Sequence, residues 1–504
     1  MEQRKHSYCY ISVTLLWLSY FITWPFYKYV LDPDGASYAS IAEQYANGYF
    51  TEAINSVWSP LHEWLIIPFI KMGIYTPYAF KFSNLLIGTG VLITIHLYLL
   101  KSNLDKAINK YLLLCLPVIL CYFIWFELAA DILFCLIVLI YLKLTQDVSF
   151  YNDYKKNILV GCIGGFGYLA KGVGLPFFLI HYTLIHFWNN WSFNRFKYYL
   201  SGLFFFILIS APWIIILHSK YNIWLYSSAG ALNMSWLLTP SATNELFCMP
   251  PPNQYAFSYW EDPWFVQDIF HSPFDNLNQF VKSIRHVLYN VQEYVKVFIQ
   301  ISFLSISIVF ISLVNLIHNP SKKNFYIFIS IFLLPTGYIL FHYEYRYLWP
   351  ISLFIMITGI HYLKHLFIIF PLIKRQRILI WLIYFSSFLI EPINQLKDLA
   401  YKNRDLYDLA TLLQKNNIED SFTSNKKNNE CAVVAYINRI KYFAPNQNTV
   451  NIHALLSIAK KQNIKYCLFF YKNDQEKTCI LSSIPNHDYK SVKHINHQII
   501  AFEL

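Results

Sequence analysis

A few acids and bases of this 504-residue chain stand beside apolar runs long enough to cross a membrane, and these are the residues placed to do chemistry. Asp32 and Asp34 follow the first such run. Carboxylates are costly to keep at the edge of a bilayer, so their presence there marks a site. Asp34 has the type and position of a general base that takes a proton from an attacking hydroxyl or amine. Its structural alternative is to cap the helix it precedes, a role Asp32 could take instead through an Asp-Pro turn. Glu127 and Asp131, four residues apart, are expected on one helix face, where two acids repel unless solvated or paired. Lys171 interrupts an apolar run and could meet a phosphate as a point charge, or simply snorkel to the interface. Arg346 lies within His342-Tyr343-Glu344-Tyr345-Arg346-Tyr347. Its planar fork suits a phosphate bidentately, with an ion pair to Glu344 as the alternative. Tyr38, His62 and Tyr345 stand beside these groups as candidate substrate contacts. No CxxC or HExxH occurs and no ligand set converges, so no metal ligand is assigned; the cofactor is open, and a divalent metal is compatible but not required.

The elements that must hold these groups are membrane helices. The chain is 56% hydrophobic and 14% charged, with 42 Phe and 40 Tyr, against about 45–50% and about 25% in soluble domains. A bilayer can absorb that surplus where one soluble core cannot. The formal charge of +11 falls mainly in short loops, which is the pattern of membrane topology and not of a nucleic-acid partner. The apolar run from Tyr8 to about Tyr27 is span-length without a small-residue cleavage site after it, so it reads as an uncleaved first helix.

Apolar runs at about 8–30, 80–100, 111–126, 127–144, 158–170, 172–188, 198–218, 296–318, 325–342, 347–370 and 377–392 predict about eleven membrane helices. Pro60 to Ile74 is too short to span and reads as interfacial or re-entrant. Lys101, Lys106, Lys110, Lys155, Lys156, Arg195, Lys197, Lys322, Lys323, Lys374, Arg375 and Arg377 then share the cytoplasmic side with the N-terminus. The Asp34 loop (31–79), the 219–295 loop and the C-terminal tail face outward. Residues 249–264, MPPPNQYAFSYWEDPW, read as rigid but irregular.

Residues 1–394 form the membrane domain. From 395 to 504 the composition turns polar, and a small extracytoplasmic α/β domain is expected. Its predicted strands are 431–437, 464–471 and 497–504, with a helix at 452–461. Cys248, Cys431, Cys467 and Cys479 would lie on the oxidising side, where one or two disulfides are compatible with their number. The Lys-, Asn-, Ile- and Tyr-rich usage points to an AT-rich bacterial genome, hence a bacterial inner membrane.

Taken together, the motifs resemble those of GT-C membrane glycosyltransferases, in the branch of bacterial protein-O-mannosyltransferase-like and aminoarabinose-transferase-like enzymes. Asp34-Gly35-Ala36-Ser37-Tyr38 is similar to the family's Asp-Glu-Ala-x-Tyr motif. Ser59-Pro60-Leu61-His62-Glu63-Trp64 resembles its Pro-Pro-Leu-x-x-Trp segment. Leu169-Ala170-Lys171-Gly172, Ala211-Pro212-Trp213 and Arg346-Tyr347-x-x-Pro350 follow in the family's order, over about residues 8–365.

The resemblance implies inverting transfer of a sugar from a polyprenyl-phosphate donor to a lipid, glycan or protein on the outer face. Asp34 would be the catalytic aspartate, Glu127 or Asp131 the second acidic motif, and Lys171 and Arg346 the donor-phosphate ligands. Two departures stand out: Gly35 replaces the usual second acid, and Trp58 stands near where the aminoarabinose branch keeps a lysine. Donor sugar and metal use are therefore not implied. Two other classes compete: a transporter or flippase of a lipid-linked substrate, and a non-catalytic assembly protein. The first would show repeated halves around mid-membrane charges, whereas here no repeat is evident and the acids gather at one face.

Overall fold

The computed structural model describes residues 3–101, 106–188, 193–238, 246–265, 272–446, 451–484, 489–496 and 498–504. Among these, six helices are long and apolar enough to cross a membrane, or seven if one bent pair counts as a single span. Every one of the predicted apolar runs carries a helix, but several of those helices are too short to span alone, such as Asp131–Thr145 and Gly174–Phe187. Close approach of helices is secured by small residues. The helix Tyr154–Ala170 meets Phe193–Tyr221 where Gly161 faces Gly202 and Gly165 faces Ile209, with no room for a Cβ at either glycine. Such i,i+4 pairs of small residues let two backbones touch inside a bilayer.

The predicted single span at 296–318 is two helices. Leu277–Ile301 ends at Ser302, and Ser305–His318 leaves at 110° to it. Ser302 takes an extended backbone (φ −168°). Its hydroxyl accepts the Leu304 N–H at 3.1 Å and meets the Ser387 hydroxyl at 2.6 Å, so the break is capped on both sides. The first helix buries a single stripe of Ser283, Asn290, Tyr294, Val297 and Ile301 and exposes Phe280, Ile284, Leu288 and Ile299, so it begins well inside what the sequence reads as an outer loop.

At the C-terminal end, a helix continues from Lys374 to Leu399. Beyond it stands a five-stranded sheet. Its order is Lys441–Tyr442, Ser421–Ser424, Tyr466–Phe470, Ile499–Glu503 and Ser491–Asn496, the first two pairings parallel and the last two antiparallel. The predicted strand 464–471 and helix 452–461 are present, and Ile499–Glu503 supplies the closing strand; residue 497 of that prediction lies outside the described residues.

The predicted strand 431–437 is instead part of a helix, Asn428–Asn438. Residues 431–436 are all buried, so their apolar run has no alternation to separate strand from helix. Arg439 then stops the helix in the left-handed region (φ 59°). Cys248, Cys431, Cys467 and Cys479 are free thiols; Cys248 instead contacts the Thr423 hydroxyl at 3.5 Å.

Candidate active site

The helix Pro33–Ala46 starts the site. Asp32 is its N-cap, accepting the Gly35 N–H at 3.0 Å, with Pro33 in the first turn, where its missing N–H is no loss. The capping role thus falls on Asp32 and leaves the Asp34 carboxylate to other partners. The Trp260 indole N–H donates to Asp34 Oδ1 at 2.9 Å, and the Arg346 guanidinium donates to Oδ2 at 3.1 Å. Burial and the neighbouring Asp34 push the Asp32 carboxyl up to about 6, against the pull of Arg346.

Gly35 stands where the resembled motif carries an acid, and the packing gives the reason. A Cβ there would fall 2.8 Å from Asp32 Oδ1 and 2.9 Å from Leu128 Cβ. No acid fits, because the turn carrying Glu127 and Asp131 packs directly on it.

Those two acids do not share a helix face, as their spacing predicts. The helix Lys106–Phe126 ends just before Glu127, and the helix Asp131–Thr145 begins at Asp131, so a turn separates them. Leu128, Ala129 and Ala130 are buried beneath the Asp34 helix, which turns both carboxylates toward one cation. That cation is Arg346, whose side chain is only 7% exposed. It pairs with Asp34, with Glu127, with Glu344 at 2.5 Å and with Asp131 at 3.7 Å.

Lys171 completes the cluster. It follows the helix Tyr154–Ala170, whose carbonyl end favours a cation. It pairs with Asp131, and its ammonium stands 3.9 Å from the Tyr347 ring centroid. Asp34, Glu127, Asp131, Lys171 and Arg346, widely separated in the chain, thus form one group. Asp32, Asp34 and Glu127 each place a carboxylate oxygen within 4.8 Å of the others, a set that could hold a divalent cation.

The candidate substrate contacts divide. Tyr38 is buried, packed with Trp58 at 5.1 Å between ring centroids, and Trp58 donates its indole N–H to the Trp260 carbonyl at 3.1 Å. Tyr345 packs toward Tyr122 at 6.0 Å. His62 is fully buried against Phe80, meets the Ser83 hydroxyl at 3.3 Å, and is held down to about 4 by that burial, so it is a neutral support.

Trp260 is the functional residue that sequence reasoning missed. The 249–264 run signals a rigid loop, but nothing in it singles out one tryptophan. Its position follows from Glu261, whose buried carboxylate accepts the Phe257 and Ser258 N–H groups at 2.5 and 3.3 Å. The same carboxylate accepts the Ser40 hydroxyl at 2.6 Å and the Gln44 amide at 3.0 Å. Next to it, Asp262 accepts from Tyr221 at 2.7 Å and Lys220 at 3.2 Å.

Burial pushes Glu261 up to about 8 despite its four donors. A carboxyl held above its unfolded value favours the fold while protonated, and that stability is lost as pH rises through 8. Raising pH from 7 to 9 is expected to cost about 1.4 kcal/mol, read as a lower melting temperature. Glu261→Gln should abolish that alkaline loss; an unchanged loss would assign it to another group.

No family model matches the sequence, and no curated protein matches it significantly. Solved structures do. The crystal structure of ArnT from Cupriavidus metallidurans bound to undecaprenyl phosphate superposes with a TM-score of 0.55 at 10% identity, over 99% of this chain and 98% of that one. Its apo form gives 0.54 at 11% identity, over 98% and 97%. The archaeal oligosaccharyltransferase AglB from Archaeoglobus fulgidus, in complex with an inhibitory peptide and a dolichol-phosphate, gives 0.51 at 11% identity, over 92% of this chain and 69% of that one. The likeness is one of fold: the chain has the helical architecture of these structures, with apolar helices long enough to cross a membrane and a small C-terminal α/β unit.

Proposed function

We propose that the chain is a glycosyltransferase. It moves a sugar from a polyprenyl-phosphate donor to a hydroxyl or amine of a lipid, glycan or protein acceptor at the extracytoplasmic face of a bacterial inner membrane. The observation that carries this reading is a carboxylate freed from capping, Asp34, held 3.1 Å from a buried guanidinium, Arg346, beside the end of a membrane helix. A base and a phosphate-binding cation in contact are the two groups that displacement at a sugar-phosphate carbon needs. The ligands named for the solved neighbours, undecaprenyl phosphate and dolichol-phosphate, are lipid phosphates of the kind such a donor releases.

The donor phosphate takes the forks of Arg346 and the ammonium of Lys171, displacing their present carboxylate partners. Asp34, released from Arg346 but still held by Trp260, then accepts the acceptor's proton. The acceptor oxygen or nitrogen bonds to the anomeric carbon from the face opposite the phosphate, so configuration inverts. The carbon–oxygen bond to phosphate breaks, and its electron pair leaves on the phosphate that Arg346 and Lys171 stabilise. A divalent cation held by Asp32, Asp34 and Glu127 would add charge stabilisation to that phosphate.

The outward orientation is supported by the shared side of Asp34, Trp260 and the C-terminal domain, opposite to the lysine- and arginine-rich turns. Purified protein mixed with radiolabelled polyprenyl-phosphate sugars and a membrane extract is expected to move label to a new product. Donor crossing the bilayer of proteoliposomes without any product would replace this reading with transport.

A further inference from the structure

We propose that an outer cleft at the C-terminal end of the helix that carries Asp34 binds a neutral saccharide of one or two units, and that this is the sugar portion of the acceptor; the second half of the statement rests on the glycosyltransferase reading. The cleft, about 590 Å³, lies between the helix Pro33–Ala46, the 73–76 turn, the 254–257 loop and Arg439 of the C-terminal domain. That volume is in the range of small-molecule sites.

The lining has the chemistry a sugar requires. Tyr49 and Tyr255 stack at 3.6 Å with planes 12° apart, giving the rim a rigid aromatic platform against which the C–H face of a pyranose can lie. Rigid tyrosines supply such contact area at low entropy cost. On the floor, Gln44 is only 3% exposed, and its Oε1 has no hydrogen-bond partner. A buried amide oxygen without a partner is costly, and a turn of this side chain toward the cleft would let a ligand hydroxyl satisfy it.

Charge in the cleft is already balanced. Glu43 is paired with Arg439, with one contact at 2.9 Å, and also accepts Thr76 at 2.6 Å and Tyr436 at 2.7 Å. Glu261, beneath the floor, is committed to four donors. The two charged lining residues, Glu43 and Arg439, thus neutralise each other, which favours hydroxyls and amides, and the Glu52 carboxylate near Tyr255 disfavours an anion.

The position fits an acceptor. Ser40 on the floor and Asp34 share one helix, six residues and so about 9 Å apart along its axis. Glu261 holds Ser40 and Gln44, while the adjacent Trp260 holds Asp34. One helix and the residue pair Trp260–Glu261 therefore join the floor of the cleft to the base.

The test uses the full protein in nanodiscs without donor, by saturation-transfer NMR with maltose, chitobiose, mannobiose and a digalacturonate. Saturation of at least one neutral disaccharide is expected, weakened at least ten-fold in Tyr255→Ala with unchanged melting temperature. Tyr49→Ala, on the exposed rim, is the second variant should the first fail to fold. In the transfer assay, Tyr255→Ala should raise the acceptor KM at least ten-fold, with kcat and donor KM unaltered. No binding, binding of digalacturonate alone, or binding unaffected by both variants would overturn the proposal. Transfer without disaccharide binding would sink the cleft and keep the enzyme; binding without transfer would sink the enzyme and keep the cleft's saccharide.

Discussion

Asp34→Asn is expected to lower sugar transfer by about 10²- to 10⁴-fold, the usual contribution of a positioned general base. Asparagine is nearly isosteric, so the Trp260 indole can still donate to its side-chain oxygen. Arg346 retains Glu127, Asp131 and Glu344. Melting temperature should therefore hardly change, and the loss would be chemical. Asp32→Asn is the paired control, because asparagine caps a helix as well as aspartate does. Transfer should survive it in the absence of a metal requirement. Measured side by side, the two variants separate base from cap. Substantial transfer by Asp34→Asn would remove Asp34 from the base role and direct the same measurement to Glu127→Gln.

The second large effect concerns Arg346. Four carboxylates converge on this one buried guanidinium. Arg346→Gln would leave them facing each other, with Lys171 on Asp131 and the His342 imidazole 3.5 Å from Glu344 as the basic groups left in contact. Removing one member of a buried ionic network typically costs about 3–5 kcal/mol, because the remaining charges are uncompensated. A large fall in melting temperature at pH 7 is expected, together with loss of transfer.

The sign of the pH dependence follows from the same argument. Without the arginine the ionised acids repel one another in the folded state, and protonating any of them relieves that repulsion. Lowering the pH to 5 should recover part of the lost stability in the variant. Arg346→Lys keeps a charge without the fork and should fall between wild type and Arg346→Gln in both readouts. An unchanged melting temperature in Arg346→Gln at pH 7 would mean that the acids are not ionised together.

Much of this protein could be read from composition and local pattern. The apolar surplus demands a bilayer, and the runs that fill it can be counted, because each depends only on residues next to one another. Acids and bases stranded beside those runs are conspicuous for the same reason, so Asp34, Glu127, Asp131, Lys171 and Arg346 stand out individually. The short aromatic-rich apolar run at 464–471 and the period at 452–461 likewise carry their structures within themselves.

What folding alone decided is which of these residues meet. Trp260 reaches Asp34 across 226 positions and Arg346 across 312, separations at which no local period operates. The 431–437 segment reads as a strand in the sequence, and only its packing makes it part of a helix, buried from 431 to 436. The break at Ser302 depends on a hydroxyl 85 residues away. Gly35 looks like a lost acid in the sequence, and only the turn packed against it shows that no side chain fits there. The sequence by itself determined a membrane protein with a set of costly charges; tertiary packing determined that those charges share one site. The physical reason is that hydrophobic partition acts on each segment separately, whereas ion pairing and steric fit exist only between segments already brought together.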